Sequence, residues 1–329
     1  MLQMRRRETL IGLAGALLMP RPSRAQSGGK MYRIGHLDAA PRADIDRLIA
    51  PFYPELAKLG FVEGRDFTLD RRTADGQLDR LPRLAAEIVA GKPDLIFAPP
   101  APATAAAKAA TSTIPIVFCF VNDPVGLGLV KTLAKPGGNL TGFSNSSVDV
   151  AGKRLQLVKE AVPAIRRLAA WFNPETANDP FELRALEEAA GALGLELQAF
   201  PAGTPTGFEK AAQLTKEWSA DAVCSTPNPA AFTSRRLIID LIAALKMPAI
   251  YWNAEFVEAG GLMSYAADFQ DIARRAAHYA AKILQGARPA DLPVEQPSVF
   301  ELVVNLRTAR SLGLALPQPF LLRADRVLE

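Results

Sequence analysis

Residues 94–121 read DLIFAPPAPATAAAKAATSTIPIVFCFV, and this stretch decides the fold. The segments 94–98 and 114–120 are short and apolar, which predicts two buried strands. Between them, residues 103–110 are nearly all alanine, a composition typical of a helix. A strand, a helix and a second strand in this order predict a right-handed crossover between parallel strands of one sheet.

The same alternation extends in both directions from this unit. Further strands are expected at residues 32–37, 67–71 and 139–143, with helices at 44–60, 78–90 and 125–133. The pattern begins again at Arg167, with strands at 168–172, 195–199, 222–225, 249–252, 261–265 and 300–305 and helices at 181–193, 207–217, 233–245, 268–285 and 306–312. Two successive halves of about 110 residues each predict an α/β protein with two parallel-sheet lobes. Ligands of open parallel sheets bind beyond the carboxyl ends of the strands, so two facing lobes predict a hinged cleft.

Residues 1–25, MLQMRRRETLIGLAGALLMPRPSRA, have the layout of an export signal. Three arginines precede an apolar stretch at residues 10–19, and Ser23 and Ala25 supply the small residues of an A-x-A-like cleavage site. The alternative, a membrane anchor, needs about 20 apolar residues, far more than this stretch contains. We expect cleavage near Ala25, a linker at residues 26–30 and a periplasmic protein. The adjacent arginines suggest the twin-arginine route, with the general export route as the alternative.

The basic charge of the chain comes from this same segment. The chain has 38 Lys and Arg against 34 Asp and Glu, and residues 1–25 hold five of the basic residues and one of the acidic ones. The rest of the chain is therefore neutral overall, so the basic pI does not indicate nucleic-acid binding. The arginine pairs Arg71-Arg72 and Arg235-Arg236 are interpreted as solvated surface.

Cys119 and Cys224 are the two cysteines of the chain, and each lies in an apolar, strand-like run. Two buried thiols in separate sheets are favoured over a disulfide, although export would permit one. The sequence contains no CxxC motif or Cys/His cluster, and no GxSxG turn accompanies the two histidines, His36 and His278. A structural metal site and a Ser-His-Asp hydrolase are therefore disfavoured.

Seven segments carry a resemblance to a known family. They are YRIGHL (32–37), LAKLGFVEGRDF (56–67), TSTIPIVFCFVNDPVGLGLVKTLAKPGGNLTGFSN (111–145), GKRLQLVKEAVP (152–163), FVEAGGLMSYAAD (256–268), KILQGARPADLPVEQP (282–297) and FELVVNLRTARSLGL (300–314). They resemble the periplasmic substrate-binding proteins of ABC transporters, in particular the type I family that includes tryptophan- and tyrosine-binding members. The runs DPVGLGLV…PGGNLTG and ADLPVEQP…FELVVNL are specific to this resemblance.

The resemblance implies two Rossmann-like lobes joined by three crossovers, with no catalysis and no cofactor. Lobe 1 is expected at residues 31–143 plus 256–294, and lobe 2 at residues 144–255 plus 295–329. The implied partners are a small-molecule ligand and an ABC permease in the inner membrane, with no nucleic acid. The protein is expected to act as a monomer.

The resemblance also places residues at the ends of lobe 1 strands in the cleft. Asn122 and Asp123 follow the strand expected at 114–120. Asp123 could pair with a ligand ammonium, or it could cap the helix expected at 125–133. Asn145 lies at the first crossover, where its amide suits a zwitterionic ligand and equally suits a hinge turn.

Two further loops of lobe 1 bear on the ligand: one departs from the pattern of the relatives, and the other is a loop that varies between relatives. In the loop at 98–104, relatives have glycine and hydroxyl residues, whereas this chain has prolines at 99, 100 and 102 and only Thr104 as a hydroxyl. The three prolines remove backbone N–H donors that could hold a ligand carboxylate. In the first loop, Asp38 together with His36 and Arg42 is expected either to form a polar entry that selects the ligand or to be solvated.

Candidate contacts from lobe 2 follow its strands in the same way. Asn173 and Asn228 each adjoin a proline after a strand end, a position that faces the cleft and that also suits an ordinary turn. Trp252 could stack on a flat ligand or a cation, or pack against the hinge. Glu255 could bind a positive group or cap the next turn, and Tyr265 lies at the second return to lobe 1.

Together these features predict an exported solute receptor. It would bind an amino acid or a related small polar ligand, aromatic ones included, and deliver it to an ABC permease. The alternative is an extracytoplasmic sensor module that signals to a membrane partner. An enzyme on the same scaffold is disfavoured because the sequence offers neither a nucleophile motif nor a metal cluster, although a fold alone does not exclude activity.

Overall fold

The structure is a computed structural model that describes residues 30–176 and 179–329. The expected export signal at 1–25 and residues 26–29 of the expected linker lie outside the described residues. Within the described residues, no helix is both long and apolar enough to cross a membrane.

Lobe 1 is built on a five-stranded parallel sheet. Its strands lie in the order β2-β1-β3-β4-β5, as expected for βαβ crossovers on both sides of a first strand. Its elements are β1 (Tyr32–Asp38), α1 (Arg42–Leu48), α2 (Phe52–Lys58), β2 (Phe67–Thr73), α3 (Leu81–Ala90), β3 (Leu95–Phe97), α4 (Ala101–Ala110), β4 (Ile116–Val121) and β5 (Leu140–Ser144).

Lobe 2 is built on a seven-stranded sheet in the order β12-β11-β10-β9-β8-β6-β7, in which β11 runs antiparallel to β10. Its elements, together with α11, which returns to lobe 1, are α5 (Ser147–Ala161), β6 (Arg167–Phe172), α6 (Asp179–Ala192), β7 (Glu196–Pro201), α7 (Pro205–Glu217), β8 (Ala222–Ser225), α8 (Pro229–Thr233), α9 (Arg235–Leu245), β9 (Ala249–Tyr251), α10 (Ala254–Glu258), β10 (Met263–Ala267), α11 (Phe269–Leu284), β11 (Phe300–Asn305), α12 (Leu306–Ser311), α13 (Gln318–Leu321) and β12 (Arg326–Leu328).

The chain crosses between the lobes three times: after β5, after β10, and between residues 295 and 300. The second crossing differs from the expected boundary at residue 256. Residues 256–267 belong to lobe 2, because Met263 of β10 pairs with Ile250 on one side and with Val304 on the other. Residues 269–295 return to lobe 1, where α11 packs against α2 and β4 and Glu295 pairs with Phe143 of β5.

Several expected elements of lobe 1 differ in the structure. The helix expected at 44–60 is two helices, because Pro51 cannot donate the backbone hydrogen bond that would continue α1. Residues 125–133 form successive turns and no helix, and Gly128 within them has a φ of +62° that a helix does not allow. The two cysteines agree with expectation, since Cys119 in β4 and Cys224 in β8 are buried, unbonded to each other and in separate sheets.

Candidate ligand-binding site

A cavity of about 50 Å³ lies between the lobes, beyond the carboxyl ends of strands from both sheets. This is the position where open parallel sheets bind ligands. Lobe 1 and the returning helix α11 contribute Ala40, Ile45, Leu48, Pro100, Ala101, Pro102, Phe120, Asn122 and Phe269 to its wall. The first crossover and lobe 2 contribute Asn145, Thr176, Pro227, Asn228, Pro229, Phe232 and Trp252.

Aromatic rings form much of this wall. Trp252 lies at the centre of the lobe 2 side, with ring centroids 5.9 Å from Phe232 and 6.2 Å from Phe269. Phe120 faces Phe269 at 4.8 Å. The backbone of Phe120 has a φ of +62°, and the pairing of β4 with β5 shifts register between Phe118 and Val121. This bulge places an aromatic side chain in a left-handed conformation next to the cavity, a strained arrangement that is common beside binding sites.

Four buried polar atoms of the wall have no hydrogen-bond partner within the described protein. They are the amide nitrogen of Asn122, the amide oxygen of Asn145, the hydroxyl of Thr176 and the indole nitrogen of Trp252. Each of these residues is at most 6% exposed. A buried polar group without a partner costs about 1–3 kcal/mol, and buried polar groups in proteins are otherwise nearly always paired. Four such atoms around one cavity give its wall unused donors and acceptors for hydrogen bonds.

Asp179, at the start of α6, holds the lobe 2 side of the site in position. Its Oδ2 accepts hydrogen bonds from the backbone N–H of Asn173 at 2.5 Å and from the hydroxyl of Thr226 at 2.6 Å. The Asn228 amide donates to the same oxygen at 3.3 Å, while its own Oδ1 caps α8 at Ala231. Burial raises the pKa of Asp179 to about 6, against the opposite effect of these hydrogen bonds. Asn228 therefore lies in the wall with both ends of its amide engaged by protein.

Glu255 lies outside the cavity and joins the two lobes. Its carboxylate is 3.5 Å from the guanidinium of Arg47 in α1 and 3.8 Å from that of Arg235 in α9. Arg235 also bonds Asp44 of α1 at 2.9 Å, with both side chains largely buried. Burial raises the pKa of Glu255, while the two arginines act in the opposite direction. The interpretation of Arg235 as solvated surface is wrong, because this side chain is buried and paired with Asp44 of lobe 1.

Two residues of lobe 1 that were expected to contact the ligand form hydrogen bonds with backbone groups close to them in the chain. The Thr104 hydroxyl donates to the carbonyl of Ala98 at 2.6 Å, and this side chain is fully buried away from the cavity. Asp123 accepts the backbone N–H of Gly126 at 2.8 Å. It therefore caps a turn in place of the expected helix, and its side chain does not line the cavity.

The expected polar entry is an interior network. Asp38 is fully buried, with one oxygen 2.7 Å from His36 Nε2 and the other 2.7 Å from Arg71 Nε. Burial lowers the pKa of His36, against the opposing effect of Asp38, and His36 Nδ1 is 2.7 Å from the hydroxyl of Tyr53. Arg71 is therefore not solvated surface, whereas Arg42 is exposed and pairs with its helix neighbour Asp46.

Two expected contacts of lobe 2 also lie away from the cavity. Asn173 accepts the backbone N–H of Glu175 at 3.0 Å and lines a separate surface groove. Tyr265 stacks on Phe300 with ring centroids 5.9 Å apart, and neither residue lines the cavity.

Of the ten expected contacts, the structure brings four to the cavity: Asn122, Asn145, Asn228 and Trp252. The sequence reasoning missed the aromatic residues Phe120, Phe232 and Phe269 and the hydroxyl of Thr176. Phe120 and Thr176 could have been expected in the cleft, because Phe120 lies at the end of β4 and Thr176 lies shortly after the end of β6. Phe232 and Phe269 lie in helices, and only the closed arrangement of the lobes shows that they face the same space.

Two α/β lobes, three crossovers and a cavity between the carboxyl ends of both sheets define a two-lobed solute-binding protein. The family model described as ABC transporter substrate binding protein matches residues 46–328, so the chain belongs to that family. The expected family and the two-lobed fold are thereby confirmed.

Relatives of known structure or description agree with this assignment. The chain is 28% identical over 287 residues to the tyrosine-binding protein of Clostridioides difficile, covering 87% of this chain and 82% of the relative. It matches the crystal structure of a conserved domain protein from Vibrio cholerae with a TM-score of 0.86 and 28% identity, over 91% of this chain and all of the other. An ABC domain from Streptococcus pneumonia in complex with L-Trp shares the fold, with a TM-score of 0.85 at 24% identity over 91% of this chain and all of that one.

Proposed function

We propose that this protein is exported to the periplasm, closes its two lobes around a compact aromatic ligand related to the amino acids, and delivers it to an ABC permease in the inner membrane. The observation that carries the proposal is the cavity wall, in which aromatic rings surround four buried polar atoms that lack protein partners. Sites of this kind bind ligands through apolar area and orient them through a few polar groups. The layout of residues 1–25 supports export.

In this proposal the binding site is complete only when the two lobes close on each other. Phe120 and Asn122 come from lobe 1, whereas Phe232 and Trp252 come from lobe 2, so an open cleft separates the two halves of the wall. The ion pair between Asp44 and Arg235 spans the same cleft. A ligand that contacts both halves favours the closed form by as much as its affinity for that form exceeds its affinity for the open one. The closed form is then the state that a permease would recognise.

Aromatic amino acids are the first ligands to test, because a relative at 28% identity carries the name of a tyrosine-binding protein. Within the site, Trp252 would stack on the ligand ring, and Asn122 and Asn145 would contact its polar groups. Asn228 would only pack against the ligand, because both ends of its amide are engaged by protein. Of the ten residues expected to contact the ligand, these four are the ones that we still propose as ligand contacts. Glu255 would act on closure of the lobes and not on the ligand itself.

The test is a thermal-shift and calorimetric screen of residues 26–329 against aromatic amino acids, other amino acids, aromatic amides and acids, sugars and polyamines. A ligand that binds only the folded protein raises its melting temperature in a concentration-dependent way. Trp252→Ala should abolish the shift. Trp218→Ala is the matched control, because Trp218 packs against Phe200 on another part of lobe 2. Equal loss of the shift in both variants would contradict the assignment of the site.

Delivery to a permease needs a separate measurement in cells. Deleting the gene should abolish uptake of the radiolabelled ligand, and the wild-type gene should restore it. Uptake that continues unchanged in the deletion strain, with binding intact in the purified protein, would replace delivery with the sensor alternative.

A further inference from the structure

We propose that the site selects an uncharged, flat ligand that carries an amide or an equivalent pair of hydrogen-bond donor and acceptor, in preference to a zwitterionic amino acid. This inference rests on the proposed solute-binding function and narrows its ligand class. Its first support is the wall itself, because every described residue that lines the cavity is uncharged. An ammonium or carboxylate buried there without a countercharge would cost far more than a neutral group with hydrogen bonds.

Backbone groups do not replace the missing charges. Ligand carboxylates commonly bind to the free N–H groups at a helix N-terminus. Here α4 begins after Pro100 and has Pro102 in its first turn, and α8 begins between Pro227 and Pro229. Proline has no N–H, so both helix starts that face the cavity have lost donors at the positions where a carboxylate would bind.

The charged groups around the cavity are committed to protein partners, including Arg235, which pairs with Asp44, and Asp179, which accepts three hydrogen bonds from lobe 2. Glu255 lies between the arginines of α1 and α9, and Asp123 is bonded to its own turn. Arg154 lies behind Asn145 and Trp252, where it forms a buried ion pair with Glu182. Taking one member of a buried pair away to serve a ligand leaves the other member as an uncompensated charge, which is strongly unfavourable.

The atoms that do face the cavity match a neutral ligand. The Asn122 amide nitrogen and the Trp252 indole nitrogen donate, the Asn145 amide oxygen accepts, and the Thr176 hydroxyl does either. A primary or ring amide presents one acceptor and one or two donors in a plane, which satisfies such a set without any charge. The surrounding rings favour a flat ligand, because aromatic groups pack on one another in offset-stacked or edge-to-face arrangements.

Isothermal titration with matched ligands tests the inference. Indole-3-acetamide would be compared with indole-3-acetate, tryptamine and tryptophan, and nicotinamide with nicotinate, all at pH 7 with residues 26–329. At least one amide should bind tenfold or more tightly than its charged counterparts. Equal or tighter binding of tryptophan or of an acid would overturn the preference for a neutral ligand while leaving solute binding intact. Failure of both amides to bind would also overturn it, whatever the amino acids do.

Two variants test the same point within the protein. Trp252→Phe keeps a ring and removes one donor, so it should weaken amide binding by about fivefold to tenfold, the equivalent of one hydrogen bond. Trp218→Phe should leave binding unchanged. Asn122→Asp introduces a negative charge into the wall and should shift preference from the amide toward tryptamine. An Asn122→Asp protein that is folded by circular dichroism and retains the wild-type preference would contradict the inference.

Discussion

Replacing Asp179 with asparagine tests how the lobe 2 side of the cavity is held. The carboxylate is fully buried and accepts hydrogen bonds from the backbone of Asn173 and the side chains of Thr226 and Asn228, all through Oδ2. Its Oδ1 has no hydrogen-bond partner in the described protein. In Asp179→Asn the amide oxygen can occupy the Oδ2 position and keep all three bonds, while the amide NH₂ takes the place of Oδ1. The substitution therefore removes the charge with little change in hydrogen bonding.

The expected magnitude follows from the pKa of this group. Burial raises the pKa of Asp179 to about 6 in the folded protein, against about 3.9 for an aspartate in an unfolded chain. Between about pH 4 and 6, the folded state retains a proton that the unfolded state has released. The contribution of this group to the free energy of unfolding is therefore greatest at low pH and falls as the pH rises. The total loss is about 3 kcal/mol, and it is complete above about pH 7.

Urea denaturation at pH 4, 5, 6 and 7 measures the effect. Relative to wild type, Asp179→Asn should gain about 2 kcal/mol in unfolding free energy between pH 4 and pH 7, because at pH 4 the unfolded aspartate has already released about half of its proton. Taking the difference between the two proteins removes the contributions of other titrating groups. Asp179→Ala, which removes the acceptor, should be destabilised at every pH by at least about 2 kcal/mol. A difference between Asp179→Asn and wild type that stays constant across this range would refute the reasoning, since the hydrogen bonds would then fully offset the effect of burial.

Two further substitutions test the packing and the closure of the lobes. Gly142→Ala should lower the unfolding free energy by about 1–3 kcal/mol, because its Cβ would lie 2.0 Å from the carbonyl oxygen of Phe118. Gly138→Ala, which meets no atom within 4 Å, should be tolerated, and equal urea midpoints for the two variants would contradict the argument. Arg235→Gln removes the ion pair with Asp44 of α1 across the cleft, so small-angle scattering should report a larger radius of gyration than for wild type. The control Arg236→Gln changes an exposed neighbour and should scatter like wild type, and identical scattering of the two variants would argue against this role in closure.

The parts of the site that followed from sequence are those that depend on strand ends. Asn122 and Trp252 each come directly after a buried apolar strand, Asn228 comes three residues after the end of β8, and Asn145 follows the last strand of lobe 1. Since the carboxyl ends of parallel strands lie at one edge of the sheet, their positions could be predicted from local pattern alone. The resemblance to substrate-binding proteins added that the two sheets face each other.

Other residues had a local pattern that fitted two roles equally well. Asp38 could have been an entry group, but the pairing of β1 with β2 places Arg71 directly opposite His36, so the charges are satisfied inside the lobe. Thr104 could have contacted the ligand, but the fold of its own loop gives its hydroxyl a carbonyl partner. Each outcome depends on which group lies within about 3 Å, a quantity that residue type and spacing do not specify.

By itself, the sequence determined the alternation of strands and helices, the division into two halves and the residues that follow each strand, because hydrophobic periodicity is a local property. The resemblance to substrate-binding proteins placed those residues in a cleft. Tertiary structure alone decided that Phe120, Phe232 and Phe269 share one wall, that Arg235 and Glu255 join the lobes, and that β10 belongs to lobe 2. These features depend on contacts between residues far apart in the chain. Such contacts form only when burial of apolar surface brings the lobes together.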